Sequence, residues 1–354
     1  MVCSMWLPAR RGLTNFPRQA KATMLDDEFA IIEDLFAPLT EGVDGAFGLK
    51  DDAALLGDGP YVVTKDIIVE GVHFRCQDPL DLVAKKLMRV NLSDLAAKGA
   101  RPVGYLLGCT WRAGTKRKDI ATFVEGLSED QQAFRVGLYG GDTTMHRQEN
   151  APTVLSATFF GTPPRHDPIP RDGAKVGDDI YVTGTIGDGF LGLKSFLKEE
   201  KFPRADNEYF QRRYQLPEPR VIIGGALAGL ASAAIDISDG LMADCAHLIR
   251  GREDEISAVL RSEVLPLSNE TQDWVEAQSS TDSAMAALAT GGDDFEILFT
   301  AATSRRRSVE MAANVAKTPV ARIGTMVRGD GGVTLLNPGG KTIKIKKSGF
   351  NHFR

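Results

Sequence analysis

Acidic and hydroxyl side chains are concentrated in one ten-residue stretch, residues 235–244. Its polar members are Asp236, Ser238, Asp239 and Asp244, with Gly240 among them. The stretch ends an uncharged run over residues 221–235, and an apolar segment that stops at Asp, Ser, Asp and Gly is typical of a strand or helix followed by a turn and a new helix. Ser238 or Asp239 either caps that helix or belongs to a functional site.

The same order of residue types occurs earlier in the chain. Asn91-Leu92-Ser93-Asp94 repeats the polar, aliphatic, Ser, Asp order of residues 236–239. A Gly-Gly-Asp sequence follows each copy at a similar separation, at Gly140-Gly141-Asp142 and at Gly291-Gly292-Asp293. The two matched pairs indicate an internally duplicated α/β unit whose acidic turns face a shared cleft.

Composition restricts the class of protein. A chain of 354 residues, 43% hydrophobic and 25% charged, has the length and composition of roughly two globular domains. Its net charge of −5 argues against nucleic-acid binding. The longest uncharged run is shorter than the ~20 residues of a membrane helix, so we expect a buried helix and no membrane partner.

The four cysteines are scattered, with no zinc or disulfide spacing, which predicts a protein of the reducing cytoplasm.

A change in composition and a cluster of prolines predict the domain boundaries. Residues 1–23 are basic and contain no acid, and Met24 opens a helical pattern, so we expect 1–23 to be a disordered or spurious extension. Four prolines between Pro163 and Pro170 mark a linker. The predicted domains are therefore 24–163 and 164–354.

Local patterns also predict the elements that carry the polar residues. A strand is predicted from Tyr61 to Thr64, with Lys65 and Asp66 at its end. A helix is predicted over 81–90, followed by a turn at 91–94. A short strand over 137–139 ends on the Gly140 turn, and residues 341–345 form a late strand.

Seven aspartates fall at these predicted strand ends and turns: Asp51, Asp52, Asp66, Asp94, Asp142, Asp236 and Asp239. Gathered in one cleft, they would repel one another unless cations were bound. Oxygen ligands without Cys or paired His select Mg²⁺ or Mn²⁺ rather than zinc. Because Mg²⁺ is usually held by a few carboxylates together with phosphate oxygens, the acids predict a nucleotide site.

A second candidate nucleotide site follows the predicted strand at 180–183. Gly187, Gly192, Lys194 and Ser195 nearly match a phosphate-binding loop, but Leu193 is one residue too many and turns Lys194 by about 100° on a helix. Close packing of a helix on a strand explains Gly187 better. His73 is either structural or, beside the Asp66 strand, a substrate contact.

Six motifs in order carry a family resemblance: Asp51-Asp52-Ala-Ala, Asp66 with Gly71-Val-His73-Phe74, Asn91-Leu-Ser-Asp94-Leu-Ala-Ala, Gly140-Gly-Asp142-Thr-Thr, Asp236-Ile-Ser-Asp239-Gly and Gly291-Gly-Asp293-Asp. Over nearly everything from Met24 to Phe353, the chain resembles the thiamine-monophosphate kinases, of the aminoimidazole ribonucleotide synthetase superfamily. The resemblance implies an α/β first domain whose β-sheet pairs across a homodimer, an α+β second domain, and ATP bound in the cleft without a Walker loop.

The resemblance also implies roles for particular residues. The Mg²⁺ ligands would be Asp52, Thr64, Asp66, Asp94, Asp142, Asp236 and Asp239. ATP would contact Gly141, Asp142, Arg171 and Ser238, and thiamine monophosphate would contact His73, Asp293 and Phe350, with the Phe350 ring packed on the cationic substrate.

Four positions depart from the family pattern. The chain has Lys50 and Lys65 where the family has Gly and Thr, Asp293 where it often has Glu, and Phe350 where it has Tyr or Trp. The two lysines bring cations toward the predicted metal cluster, which leaves the number of Mg²⁺ ions open.

The resemblance implies direct in-line transfer of the ATP γ-phosphoryl group to thiamine monophosphate, without a general base. Two alternatives remain at this point: another ATP-dependent synthetase of the superfamily, for selenophosphate or aminoimidazole ribonucleotide, and a non-catalytic nucleotide-binding subunit.

Overall fold

A computed structural model of the chain describes residues 28–50, 54, 56–165, 167–250, 256–346 and 349. The predicted extension over 1–23, Asp51, Asp52 and Phe350 lie outside these residues.

Within the described residues the strands are β1 (Val62–Val69), β2 (Arg101–Trp111), β3 (Gly137–Met145), β4 (Val154–Thr162), β5 (Asp179–Thr183), β6 (Ala233–Asp236), β7 (Ile256–Arg261), β8 (Ile297–Ala301), β9 (Val320–Arg328) and β10 (Val333–Leu336). The helices are α1 (Glu28–Ile31), α2 (Leu80–Ala97), α3 (Arg117–Phe134), α4 (Asp188–Leu197), α5 (Arg204–Gln215), α6 (Val221–Leu227), α7 (Leu241–His247), α8 (Asn269–Glu276), α9 (Thr281–Thr290) and α10 (Arg306–Ala316).

The first four strands form one sheet in the order β1-β4-β2-β3, in which β2 and β3 are parallel and the other pairs antiparallel. Helices α2 and α3 cover one face, where Tyr105 stacks on Phe159 and Trp111 meets Phe123 edge-on. We call the described residues of 28–162 the N-terminal unit. Its opposite sheet face, the open face, exposes apolar side chains.

The remaining strands form a six-stranded mixed sheet in the order β10-β7-β9-β5-β8-β6, which with its helices makes up the C-terminal unit, the described residues of 169–346. Every residue of β5 and of β8 is buried, since helices pack on both faces of this sheet. Leu298 joins the core on one face, and Phe299, stacked on Tyr181, joins the core on the other.

Helix α2 connects the two units because it packs on the four-stranded sheet and also on α6. Gly224 of α6 lies so close to α2 that a Cβ atom there would stand 2.1 Å from the Ala96 carbonyl oxygen. Ala96 itself belongs to the core around Phe299. The contact fixes the position of the α2 polar face relative to the C-terminal unit.

Two element predictions are wrong in the C-terminal unit. The uncharged run is not a single helix: α6 ends at Leu227 and β6 begins at Ala233. Residues 341–345 form only one isolated bridge, Leu336 to Thr342, and the last strand is β10, where Leu335 fills the core. No helix in the described part of the chain is both long and apolar enough to cross a membrane.

Candidate functional site

Three carboxyl groups from three elements meet between the two units. Asp66 lies in the middle of β1, Asp94 near the end of α2, and Asp236 is the last residue of β6. The Asp94 carboxyl group lies within hydrogen-bonding reach of those of Asp66 and Asp236, and it accepts a bond from the Thr64 hydroxyl at 2.5 Å. Ser93 Oγ donates to Asp236 Oδ2 at 2.8 Å. We call Asp66, Asp94 and Asp236 the acid cluster.

The segment Asn91 to Asp94 lies inside α2, so the predicted turn is wrong. Its polar side chains are satisfied by partners rather than by a break in the helix. Asn91 Nδ2 donates to the Leu87 carbonyl one turn back at 2.9 Å, and Asn91 Oδ1 accepts the Asp66 backbone N–H at 3.1 Å. Helix α2 thus presents a polar stripe to β1 and β6.

Burial raises the pKa of each carboxyl group in the acid cluster. It raises the pKa of Asp66 to about 7, and the neighbouring Asp94 charge adds to the effect. Burial also raises the pKa of Asp94, although the hydrogen bond from Thr64 lowers it in part. Burial likewise raises the pKa of Asp236 well above its usual range. Without a cation, burial and mutual repulsion therefore favour the protonated forms of these groups.

The stretch from Asp236 to Asp244 folds as predicted, as a strand end, a turn and a helix start. The Asp244 carboxylate accepts the backbone N–H groups of Ser238, Asp239 and Gly240, each at 3.1 Å. Ser238 is exposed and Asp239 half-buried at the surface of this turn. Gly240 has a φ of 119° and lies against the Gly291 carbonyl, which explains why no side chain is present there.

The Gly291 segment is a loop packed directly on this turn. The Asp293 N–H donates to the Ser238 carbonyl at 2.9 Å, and a Cβ on Gly292 would stand 2.3 Å from the same oxygen. Asp293 itself has a φ of 69°, in the left-handed region. The two acidic turns of the C-terminal unit are therefore one structural element.

Asp293 and His73 come together through two residues that were not predicted. Lys86 Nζ donates to Asp293 Oδ1 and to the His73 carbonyl, each at 3.1 Å. The Tyr214 hydroxyl donates to the same His73 carbonyl at 3.0 Å. The His73 ring accepts the Val69 N–H on Nδ1, which supports the structural reading of this histidine without testing its contact with substrate.

Asp142 and Gly141 lie apart from the acid cluster. They belong to β3, which runs on to Met145, so the predicted turn after Tyr139 is wrong. Asp66 and Gly141 lie in one row across the sheet, on its first and last strands, about 14 Å apart along the sheet. Asp142 and Asp66 therefore lie on opposite edges of the same sheet.

A cavity of about 630 Å³ opens at this β3 edge. Gly141 and Asp142 contribute to its wall together with apolar side chains, among them Phe36, Leu49 and Leu138. An apolar cleft of this size with a carboxylate at its rim is suited to the base and sugar of a nucleotide.

The loop at Gly187, which nearly matches a phosphate-binding motif, binds the side chain of Asp294. The Asp294 carboxylate accepts the backbone N–H groups of Gly187 and Gly189 at 2.9 to 3.2 Å. A Cβ on Gly192 would stand 2.2 Å from the Phe210 carbonyl. Close packing, rather than phosphate binding, accounts for these glycines.

The two segments with the same order of residue types, 91–94 and 236–239, do not have the same local structure, and neither do the two Gly-Gly-Asp sequences. Ser93 and Asp94 are helical whereas Ser238 and Asp239 form a turn, and Gly141 is in a strand whereas Gly292 is in a loop. The inferred duplication is therefore wrong for these segments.

The positive charges near the acid cluster also differ from expectation. Lys65 is exposed, and strand alternation directs it away from Thr64 and Asp66. Lys98, which was not singled out, lies where its charge favours the ionised forms of Asp94 and Asp236, and its Nζ donates to the Ala234 carbonyl at 2.7 Å. Arg171 is exposed nearby, and its charge helps to lower the pKa of Lys98.

The sequence did contain a signal for the two missed lysines. Lys86 follows Val83 by three residues and precedes Val90 by four, so it falls on the apolar face of α2, and Lys98 lies four residues after Asp94. A charged residue on an apolar helix face needs a polar partner when it is buried, so its position in the sequence predicts a buried contact.

Fold and site together place the protein in the class of the aminoimidazole ribonucleotide synthetases and their relatives. The family model described as AIR synthase related protein, N-terminal domain, matches residues 50–162. A thiamine-monophosphate kinase from Caulobacter vibrioides is 43% identical over 315 residues, 88% of this chain and 87% of that protein. The chain belongs to the thiamine-monophosphate kinase family.

Solved structures agree with this assignment. A thiamine-monophosphate kinase from Stenotrophomonas maltophilia superposes with a TM-score of 0.76 at 35% identity, covering 88% of this chain and 96% of that one. A structure described as AaThiL complexed with AMPPCP and TMP gives a TM-score of 0.72 at 25% identity, covering 94% and 100%.

Proposed function

We propose that this protein transfers the γ-phosphoryl group of ATP to thiamine monophosphate, giving thiamine diphosphate and ADP. The observation that carries the proposal is the meeting of Asp66 and Asp94 from the N-terminal unit with Asp236 from the C-terminal unit. Family membership and the related complex with AMPPCP and TMP support the choice of both substrates.

The reaction needs no general base. An oxygen of the acceptor phosphate forms a bond to the γ-phosphorus while the bond from that phosphorus to the β–γ bridging oxygen breaks, and ADP leaves with the electron pair. A phosphate monoester is largely dianionic at neutral pH, since its second pKa is about 6. The protein's task is to position two anions and neutralise their charge.

The acid cluster has the chemistry of a Mg²⁺ site. Its donors, with Thr64, are all oxygens, and the Asp94 carboxyl group lies within hydrogen-bonding reach of the carboxyl groups of Asp66 and Asp236. No three Asp, Glu, His or Cys side chains within the described ranges are arranged as a ready-made metal group, and we propose that a further ligand completes the site. Asp52 is the residue we propose for that role, with Asp239 at the adjacent turn. Bound Mg²⁺ would neutralise phosphate charge.

We place the nucleoside of ATP in the cavity at the β3 edge. Its phosphates would run from Gly141 and Asp142 toward the acid cluster, where Arg171 and Ser238 are exposed. The acceptor would lie between His73 and Asp293, and Phe350 is proposed to pack on its thiazolium ring.

A second copy of the chain is proposed to cover the open face of the four-stranded sheet. Val63, Ile67 and Leu106 are 56%, 49% and 38% exposed on this face, around the exposed Lys65. Pairing two such faces would produce the homodimer expected from the family. The cytoplasmic location remains part of the proposal, from cysteine usage.

Measuring ADP release with and without thiamine monophosphate tests the function. We expect release to require both thiamine monophosphate and Mg²⁺, to stop with excess EDTA, and to yield a diphosphate product visible by ³¹P NMR. Thiamine, which lacks the acceptor phosphate, is the control substrate. ATP turnover that ignores thiamine monophosphate would indicate a related synthetase, and nucleotide binding without turnover a non-catalytic subunit.

The assigned acids are tested in the same assay. Asp94→Asn and Asp236→Asn should abolish turnover, because each removes an anionic oxygen ligand. Near-normal activity of either variant would contradict its metal role.

A further inference from the structure

A buried lysine joins the two units beside the residues assigned to the acceptor. Lys86 lies on α2 and is 3% exposed. Its ammonium group donates to the His73 carbonyl and to Asp293 Oδ1, each at 3.1 Å, and lies 3.5 Å from the centre of the Tyr214 ring. These partners belong to three different segments: the turn after β1, the Gly291 loop and α5.

Three groups of the protein surround the ammonium group. Two are oxygens that accept its hydrogen bonds, and the third is the face of an aromatic ring, which attracts a cation. Burying an ammonium is costly unless such partners are present. The ammonium group of Lys86 therefore binds groups of the protein itself rather than a substrate phosphate.

Both oxygen partners are otherwise held in place. The Tyr214 hydroxyl donates to the His73 carbonyl at 3.0 Å. Asp293 is in the left-handed region, with its N–H bonded to the Ser238 carbonyl and its own carbonyl against Gly189. With both backbones fixed, the contact with Lys86 determines where the Asp293 carboxylate points.

We propose that Lys86 is a positioning residue for the acceptor, an inference that rests on the proposed function. From the N-terminal unit it fixes the Asp293 carboxylate of the C-terminal unit at a set distance from the His73 turn. The acceptor then meets a preformed pair of contacts, and the entropy of ordering Asp293 is not lost on binding.

The test compares Lys86→Met with Lys85→Met. Lys85 is the preceding residue on the same helix, and it pairs with the exposed Glu129 away from the cleft. We expect Lys86→Met to raise the KM for thiamine monophosphate about 10- to 100-fold, the penalty typical of a misplaced contact, with little change in the KM for ATP. Lys85→Met should keep wild-type constants. Calorimetric binding of thiamine monophosphate without nucleotide should weaken by the same factor as the KM rises.

A double-mutant cycle shows whether Lys86 acts through Asp293. If it does, adding Lys86→Met to Asp293→Asn should raise the KM for thiamine monophosphate much less than Lys86→Met does alone. Additive effects would overturn the proposal. So would a thiamine monophosphate KM for Lys86→Met that matches Lys85→Met, or an equal rise in both KM values, which indicates general loosening.

Two further variants keep the proposal testable if Lys86→Met does not fold. Lys86→Arg retains the charge and should recover much of the affinity for thiamine monophosphate. Tyr214→Phe keeps the ring over the ammonium but removes one donor to His73, and it should raise the KM for thiamine monophosphate several-fold. The inference would be rejected if Tyr214→Phe left this KM unchanged and Lys86→Arg showed no measurable affinity for thiamine monophosphate. Wild-type enzyme without thiamine monophosphate-dependent ADP release would instead refute the proposed function itself.

Discussion

Asp66→Asn should make the metal-free protein more stable while abolishing its activity. Asp66 is half-buried beside Asp94. Loss of hydration, and then the neighbouring Asp94 charge, raise the pKa of its carboxyl group from 3.8 to about 7. Because the folded-state pKa is raised, the folded chain binds the proton more tightly than the unfolded chain does. The contribution of this group to stability is therefore greatest at low pH and is lost as pH rises from about 4 to about 7.

The size of the effect follows from the same two pKa values. At pH 8 the ionised group costs at most about 4 kcal/mol, and residual contact with solvent reduces this to roughly 2 to 4 kcal/mol. An Asn side chain of nearly equal volume avoids this cost. The bond from the Asp66 backbone N–H to Asn91 is unaffected by the change.

Thermal and urea unfolding in EDTA at pH 5 and pH 8 measure the difference. We expect Asp66→Asn to raise the midpoint at pH 8 by roughly 5 °C or more and to change it much less at pH 5. Adding Mg²⁺ should stabilise the wild type more than the variant. Asp58→Asn removes an exposed carboxylate just before β1 and serves as the control. A gain that is absent at pH 8, or equal at both pH values, would refute the reasoning.

Three further predictions concern packing, a buried ion pair and assembly. Gly224→Ala should destabilise the protein by several kcal/mol because its Cβ would meet an α2 carbonyl at 2.1 Å, whereas Gly225→Ala, with open space around it, should be neutral or stabilising in urea melts. Arg220→Met should cost roughly 3 to 5 kcal/mol in the same measurement, since the fully buried Glu296 loses a two-bond partner at 2.6 Å; an unchanged midpoint would contradict this. Ile67→Glu should convert a dimer to a monomer by light scattering, and a wild-type monomer would reject the proposed use of the open face.

Local chemistry decides the structure around residues 236–244, and the sequence predicts it there. Asp236 ends a strand, Gly240 lies in a turn and α7 begins at Leu241, all within a few residues of one another. Such transitions depend on backbone freedom and on turn residues such as Gly and Ser, which the local sequence reveals. The expected cap by Ser238 or Asp239 is absent: α7 has Gly240 at its N-cap and no side-chain cap. The family resemblance likewise follows from motif order along the chain, and the comparisons confirm it.

Elements whose partners are distant in sequence differ from the prediction. Asn91 to Asp94 read as a turn because polar residues disfavour helix interiors, yet β1 and β6 supply partners that allow α2 to continue through them.

The sequence by itself determined the family and the acids available to the site. The tertiary structure decided which of those acids meet: Asp94 and Asp236 join through contacts such as the bond from Ser93 to Asp236, 143 residues apart, whereas Asp142 lies at the far edge of the sheet. It also revealed the Lys86 contact with Asp293, 207 residues away. Hydrophobic periodicity specifies which face of an element is buried but not which element covers it, and the packing of α2 between the two units made that choice.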